Sequence, residues 1–280
     1  MRWQGGRRGG GIEDRRGMGV VAGGGLGAVV LGLIGYFVLG IDPATTSQIV
    51  SQFGGAGTEE QGKVGTPEDQ AGQFVDVVGA NINDVWKTKL DGYTQPRVVL
   101  YEQGTNTGCG FGQSAMGPFY CPNDQTVYLD LGFWRDMETQ LGASGADFAR
   151  AYVIAHEFGH HVQTLTGASQ QVREAQQRAG GQAEANQYSV ALELQADCYA
   201  GVWAANASAA SNGAVALEAG DLEEGMKTAN AIGDDTLQKR GGGRVSPENF
   251  THDSSAQRVE WLQRGYQSGE PSQCDTFARL

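Results

Sequence analysis

The chain has 280 residues and a formal net charge of −12, a length that accommodates one sizeable domain or two small ones with a substantial core. Residues 1–17 contribute +3, from five arginines and two acids, which leaves −15 on the remainder. A body that acidic has no basic stripe for a polyphosphate backbone, which argues against a nucleic-acid partner.

In chain order, residues 1–17 are rich in Gly and Arg, with Arg2, Arg7, Arg8, Arg15 and Arg16 against Glu13 and Asp14. A stretch of this composition cannot bury a core by itself and is expected to be a disordered basic segment. Residues 18–41 carry no charge over 24 positions, long enough to cross a hydrocarbon layer of about 30 Å as one helix. Its glycines weaken helix propensity, but in lipid the backbone has no other way to satisfy its hydrogen bonds. A cleaved signal peptide is the competing reading; the length of the run and the lack of a small-x-small site after it favour a retained membrane helix. The arginines before it place the N-terminus in the cytoplasm by the positive-inside rule, so the rest of the chain is expected to be extracytoplasmic.

Residues 42–68, rich in Thr, Ser, Gln and Gly, read as a flexible linker. The catalytic-domain candidate is then 69–280. Within it, 74–90 has the spacing of a helix with one buried face, through Val75, Val78, Ile82, Val85 and Trp86. Residues 97–102 and 125–131 read as strands, and 126–131 is expected to be the substrate-binding sheet edge, with an ordinary sheet strand as the other reading. Helices are expected from 147, stopping at Gly167, then at 170–178, at about 183–205, at 221–232 and at 254–266, with the glycine run 241–243 as a loop. The architecture expected is α+β, rich in helix, with a small sheet.

Cys109, Cys121, Cys198 and Cys274 form an even set beyond the apolar segment, and four cysteines allow three pairings in an oxidising compartment. Cys109 with Cys121 is the local choice. Cys198 with Cys274 would then tie a long helix to the C-terminal tail. A second metal site is the alternative, but the spacing lacks the short C-x-x-C knuckles of structural zinc.

The chemistry concentrates in the helix from 147. Residues 156–160 read His-Glu-Phe-Gly-His, and on a helix His156 and His160 lie one above the other, able to grip one tetrahedral metal ion. Three of the four histidines of the chain fall within six residues. A third ligand is available at Glu193. Four residues on, Asp197 faces the same way, and an acidic pair in an apolar helix needs a partner such as metal. Asp197 can accept from the free ring nitrogen of a ligating histidine and fix its tautomer. His161 points about 100° away and reads as a packing or surface histidine. Three protein ligands, His156, His160 and Glu193, leave a position open for water on one Zn2+, with Glu157 as general base. Amide hydrolysis without a covalent intermediate fits that set.

The run Ala-His-Glu-Phe-Gly-His-His-Val-Gln at 155–163, the run Glu-Leu-Gln-Ala-Asp-Cys-Tyr-Ala-Gly at 193–201, the tail 250–261 and the opening Met-Arg-Trp-Gln-Gly-Gly-Arg-Arg with Glu-Asp-Arg-Arg-Gly at 13–17 resemble the bacterial neutral zinc metallopeptidase family over nearly the whole chain. That resemblance implies a membrane-anchored, gluzincin-type zincin-like domain acting on peptide or protein substrates. It carries the ligands onto His156, His160 and Glu193 and the base onto Glu157. By analogy with related membrane gluzincins, His252 would donate to the oxyanion and Arg258 would brace Glu193 or Asp197; the other reading is a capping-region histidine and a surface arginine. The resemblance departs at Asp253, where members of the family usually carry Gly. A function from another class also fits, a zinc-stabilised binding or scaffold protein without catalysis, but a purely structural site has no need of Glu157.

Overall fold

The computed structural model describes residues 1–18, 62–240, 245–250 and 252–280. Apart from Met18, the expected membrane helix lies outside the described residues, as do 42–61 of the expected linker and the glycine loop 241–243. Among the described residues no helix is long and apolar enough to cross a membrane.

The strands are β1 (Ile12–Asp14), β2 (Lys63–Gly65), β3 (Arg97–Tyr101), β4 (Gly104–Thr107), β5 (Gly110–Gln113), β6 (Phe119–Cys121) and β7 (Thr126–Asp130), of which β3 and β7 are β-branched apolar runs. Longer periodic runs give the helices α1 (Gln70–Lys89), α2 (Phe133–Thr139), α3 (Asp147–Thr166), α4 (Ala168–Arg178), α5 (Gln182–Ala210), α6 (Asp221–Ala231), α7 (Asp234–Arg240) and α8 (Ser255–Ser268). The helix-rich α+β expectation holds, with a five-stranded mixed sheet in the order β2-β1-β3-β7-β6 and a separate β4-β5 hairpin. Two short helices, α2 and α7, have too few turns to show a period in the sequence.

Two expectations are corrected. Residues 1–17 are not a disordered arm. β1 sits inside the sheet, antiparallel to β2 and parallel to β3, with Ile12 opposite both Gly65 and Val98. Trp3 is buried, meets Phe74 edge-on at 5.2 Å and donates its indole N–H to Asp147 at 2.8 Å. Arg8 pairs with Asp76 at 2.7 Å, and the buried Arg15 donates to Glu13 at 2.7 Å and to Thr105 at 2.9 Å. Local composition registers five arginines without seeing that carboxylates far along the chain match Arg7, Arg8 and Arg16. The linker shortens for the same reason, since β2 falls within it.

The second correction concerns β7. It is flanked by β3 on one side and β6 on the other, so it is an internal strand and β6 is the edge. The three residues of β6 are too few to read as a strand from sequence. They lie in the loop closed by the disulfide Cys109–Cys121, which forms, as does Cys198–Cys274.

α5 is the axis of the helical layer, packed against α8, α3, α4 and α1. Its core partners are large aromatics, including Phe148 stacked on Trp203 at 6.2 Å with ring planes 9° apart. Close approach of α8 to α5 depends on glycine: a Cβ on Gly265 would lie 1.9 Å from the Cys198 carbonyl oxygen, and one on Gly201 would lie 2.2 Å from that of Leu262. This contact brings the C-terminal part of the chain against the middle of α5, where the candidate site is.

Candidate metal centre

α3 supplies His156, Glu157 and His160, and α5, packed across it, supplies Glu193 and Asp197. Gly159 on the inner face of α3 has space for little more than its hydrogen, with Ala196 of α5 3.1 Å from where a Cβ would sit. Small residues at the crossing therefore bring the two functional faces together.

The ring nitrogens Nε2 of His156 and His160 lie 3.1 Å apart. Glu193 approaches them at 3.1 Å from His156 and 3.5 Å from His160. Adjacent ligands of a tetrahedral zinc with bonds near 2.0–2.1 Å stand about 3.3 Å apart, so these three separations match the edges of such a site.

The protons can be assigned from the second partners. His156 Nδ1 faces Asp197 Oδ1 at 2.8 Å and donates to it. His160 Nδ1 faces Gln163 Oε1 at 2.9 Å. The amide nitrogen of Gln163 is committed to the Leu192 carbonyl at 2.6 Å and to Gln195 at 3.2 Å, so its oxygen is the acceptor and His160 Nδ1 carries the hydrogen. Both Nε2 atoms thereby face one another and a carboxylate, an arrangement that is repulsive unless a proton or a metal ion stands between them. The donor set fits zinc on this ground.

Electrostatics point the same way. Burial disfavours the charged form of His156, yet Asp197 and Glu193 outweigh it and lift the imidazole to about 10. Burial also works against an ionised Glu193, but the two histidines hold it well below the usual carboxylate range. The field where the three donors meet favours positive charge. Glu157 is buried beside it, its pKa raised by desolvation against the pull of the two histidines.

Asp197 is fully buried and accepts from His156, from Tyr152 Oη at 2.5 Å, and from Arg258 Nε at 2.9 Å and Nη2 at 3.0 Å. Arg258 comes from α8, is itself buried and also donates to Tyr152 Oη at 3.2 Å. The structure therefore places Arg258 against Asp197 and away from the surface. His252 is not one of the three clustered donors; its side chain is 46% exposed, its ring lies 3.5 Å from Asp234, and its charge acts on Glu193. Asp253 is fully buried, has φ 147°, and among the described residues neither carboxylate oxygen has a hydrogen-bond partner. His161 is turned away from the ligands. Its Nε2 donates to the Thr94 carbonyl at 2.7 Å, so Nδ1 accepts from Tyr120 Oη at 3.0 Å, and the ring is a buried structural link.

Sequence reasoning missed Tyr152 and Gln163. Both were available from helical spacing, since Tyr152 precedes His156 by four residues and Gln163 follows His160 by three, on the same face.

The chain belongs to the family described as "Putative neutral zinc metallopeptidase", whose profile matches residues 1–277. It is 50% identical over 238 residues to "Uncharacterized protein YpfJ" of Escherichia coli (strain K12), covering 84% of this chain and 79% of that protein. It is 46% identical over 206 residues to "Uncharacterized protein Rv2575" of Mycobacterium tuberculosis (strain H37Rv), covering 71% of this chain and 68% of that protein. No solved structure matches the chain.

Proposed function

We propose that this chain is a zinc-dependent endopeptidase. The observation that carries the reading is the convergence of Nε2 of His156, Nε2 of His160 and the Glu193 carboxylate on one point, next to the buried Glu157. Zinc held by His156, His160 and Glu193 would supply a Lewis acid for a peptide carbonyl and for water. Glu157, one position round the helix from His156, takes the proton of the attacking water and passes it to the leaving amine. Its burial supports this role, because a raised carboxyl pKa lies closer to the working pH of a base that must also act as an acid. Asp197 holds His156 in the tautomer that presents Nε2, and Arg258 holds Asp197 charged. His252 is assigned as donor to the developing oxyanion, its half-exposed ring steadied by Asp234.

The test uses the full chain in detergent, loaded with zinc, on an unfolded protein substrate. Glu157→Gln should keep its zinc by metal analysis and lose about 100-fold or more in rate, the usual contribution of a general base. Undiminished cleavage by this variant would overturn the assignment. Inactivity of both proteins would favour the zinc-stabilised binding protein instead. His252→Ala should lower hydrolysis by about tenfold or more if it is the oxyanion donor.

A further inference from the structure

The two histidine ligands are held from behind by different means. His156 donates to the carboxylate of Asp197 at 2.8 Å, whereas His160 donates to a neutral amide, Gln163 Oε1, at 2.9 Å. An amide holds an imidazole in one tautomer only if its own orientation is fixed, because a half-turn exchanges its oxygen for a donor. The orientation of Gln163 is fixed partly by α5 and partly by the C-terminal tail. Its Nε2 donates to the Leu192 carbonyl at 2.6 Å and to Gln195 Oε1 at 3.2 Å, and Gln195 Nε2 donates in turn to the Cys274 carbonyl at 3.1 Å.

The polarity of this row runs one way only. Backbone carbonyls accept and never donate, so Leu192 and Cys274 each demand a nitrogen. Gln195 therefore turns its nitrogen to Cys274 and its oxygen to Gln163, and Gln163 turns its oxygen to His160. His160 then carries its hydrogen on Nδ1, and Nε2 is the nitrogen left for a metal. Gln163 and Gln195 are buried, so water does not compete for these bonds. The last acceptor is itself held in place. Cys274 is bonded to Cys198, one helical turn beyond Gln195 on α5, Thr276 Oγ1 donates to the Ala191 carbonyl at 2.6 Å, and Thr276 N donates to the Cys274 carbonyl at 3.1 Å. Cys198, Cys274 and Thr276 are all buried.

We propose that Gln195 is a positioning residue for the metal site, and that the Cys274 carbonyl, fixed by the disulfide Cys198–Cys274, orients His160 through Gln195 and Gln163. The inference rests on the zinc reading given above. The C-terminal tail is then part of the metal centre, setting the direction of a ligand through two buried amides. Gln195→Met keeps the length of the side chain and removes its amide, so Gln163 retains only the Leu192 carbonyl to hold it, and His160 loses the constraint on which nitrogen it presents.

Zinc affinity of the full chain in detergent, read by competition against a chromophoric chelator, tests this in the parent and its variants. Outer partners of metal-ligating histidines contribute about 10- to 100-fold in affinity, and Gln195→Met should lose about tenfold, the lower end, because it acts through Gln163. The paired Cys198→Ala, Cys274→Ala variant should weaken zinc by a similar factor, since the carbonyl that ends the row is no longer fixed. Asn206→Leu is the control. Asn206 also lies on α5 and donates to the carbonyls of Val202 and Gly269, at 2.8 and 3.0 Å, outside the row. Its replacement should lower the Tm of the metal-free protein and leave zinc affinity unchanged. Equal zinc affinity of Gln195→Met and the parent would overturn the proposal. So would a matching loss in Asn206→Leu, because zinc affinity would then follow stability alone. Unchanged affinity in the paired variant would overturn the part assigned to the disulfide. A parent that binds no zinc would overturn the zinc reading and this inference together.

Discussion

Replacing Asp253 with glycine should stabilise this protein. Asp253 has φ 147°, a region that an L-residue with a side chain seldom adopts, and its carboxyl group is fully buried with both oxygens unpartnered among the described residues. The strained backbone costs about 1–3 kcal/mol, and the unsatisfied buried polar group costs about 1–3 kcal/mol more. Glycine gives back about 0.5–1 kcal/mol through the freedom of its unfolded chain. The balance favours Asp253→Gly by about 3 kcal/mol, a rise in Tm of about 6–12 °C for a body of this size. The backbone contact that matters is kept, because the hydrogen bond from Asp234 N to the carbonyl of residue 253, 2.8 Å long, involves no side chain of that residue. Asp253→Asn keeps the strain and a buried polar group but cannot ionise, so it isolates the part of the penalty that depends on pH.

The pH dependence of the gain has a definite sign. Desolvation pushes the Asp253 carboxyl well above its ordinary value, so the native state holds a proton that the unfolded chain releases above about pH 4. The penalty of Asp253 therefore grows as pH rises, and the advantage of glycine should be larger at pH 8 than at pH 4.5. Thermal melts of the two proteins, both stripped of metal with chelator, measure it. An unchanged or lower Tm for Asp253→Gly would refute the argument, since it would mean that the carboxyl has a compensating partner.

Asp197→Asn should weaken zinc binding about 10- to 100-fold, because it removes the carboxylate that fixes the His156 tautomer; competition against a chromophoric chelator reads this directly. Removing the disulfide Cys198–Cys274, which spans 76 residues, should cost about 4–5 kcal/mol by loop-closure entropy, and removing Cys109–Cys121, which spans 12, about 3 kcal/mol. Paired Cys→Ala variants compared by urea unfolding give the two values, and a reversed order would contradict the loop-length argument. Asp69 caps α1 through Gly72 N at 3.0 Å, and Arg16 holds its pKa down to about 2. Stability from a carboxylate lowered in this way is present above about pH 4 and disappears as pH falls towards 2. Asp69→Ala should therefore lose about 1 kcal/mol at neutral pH, the usual value of an N-cap, and match the parent below pH 2.

The metal ligands were legible because a helix converts spacing into direction. His156 and His160 had to share a face once 147–163 was read as helical, and Glu193 and Asp197 had to share another. The stop of α3 at Gly167 was legible for a similar reason, since its φ of 81° suits glycine. Cysteine count and spacing led to both disulfides. The family resemblance had already marked Asp253 as a side chain where glycine is usual, and its φ of 147° gives that expectation a physical content.

Sequence by itself therefore determined what is local: helices long enough to show a period, the residues that share a helical face, and the chemistry those residues can perform. Tertiary structure alone decided which distant charges meet. The arginines of residues 1–17 looked like a solvated arm because their partners Asp69, Asp76 and Asp84 lie more than fifty residues away, and Arg258 found its buried place on Asp197 only through a helix crossing that Gly201 and Gly265 permit. The same holds for the sheet, where three residues of β1 and three of β6 are too short to show alternation and are strands only because their neighbours supply the hydrogen bonds.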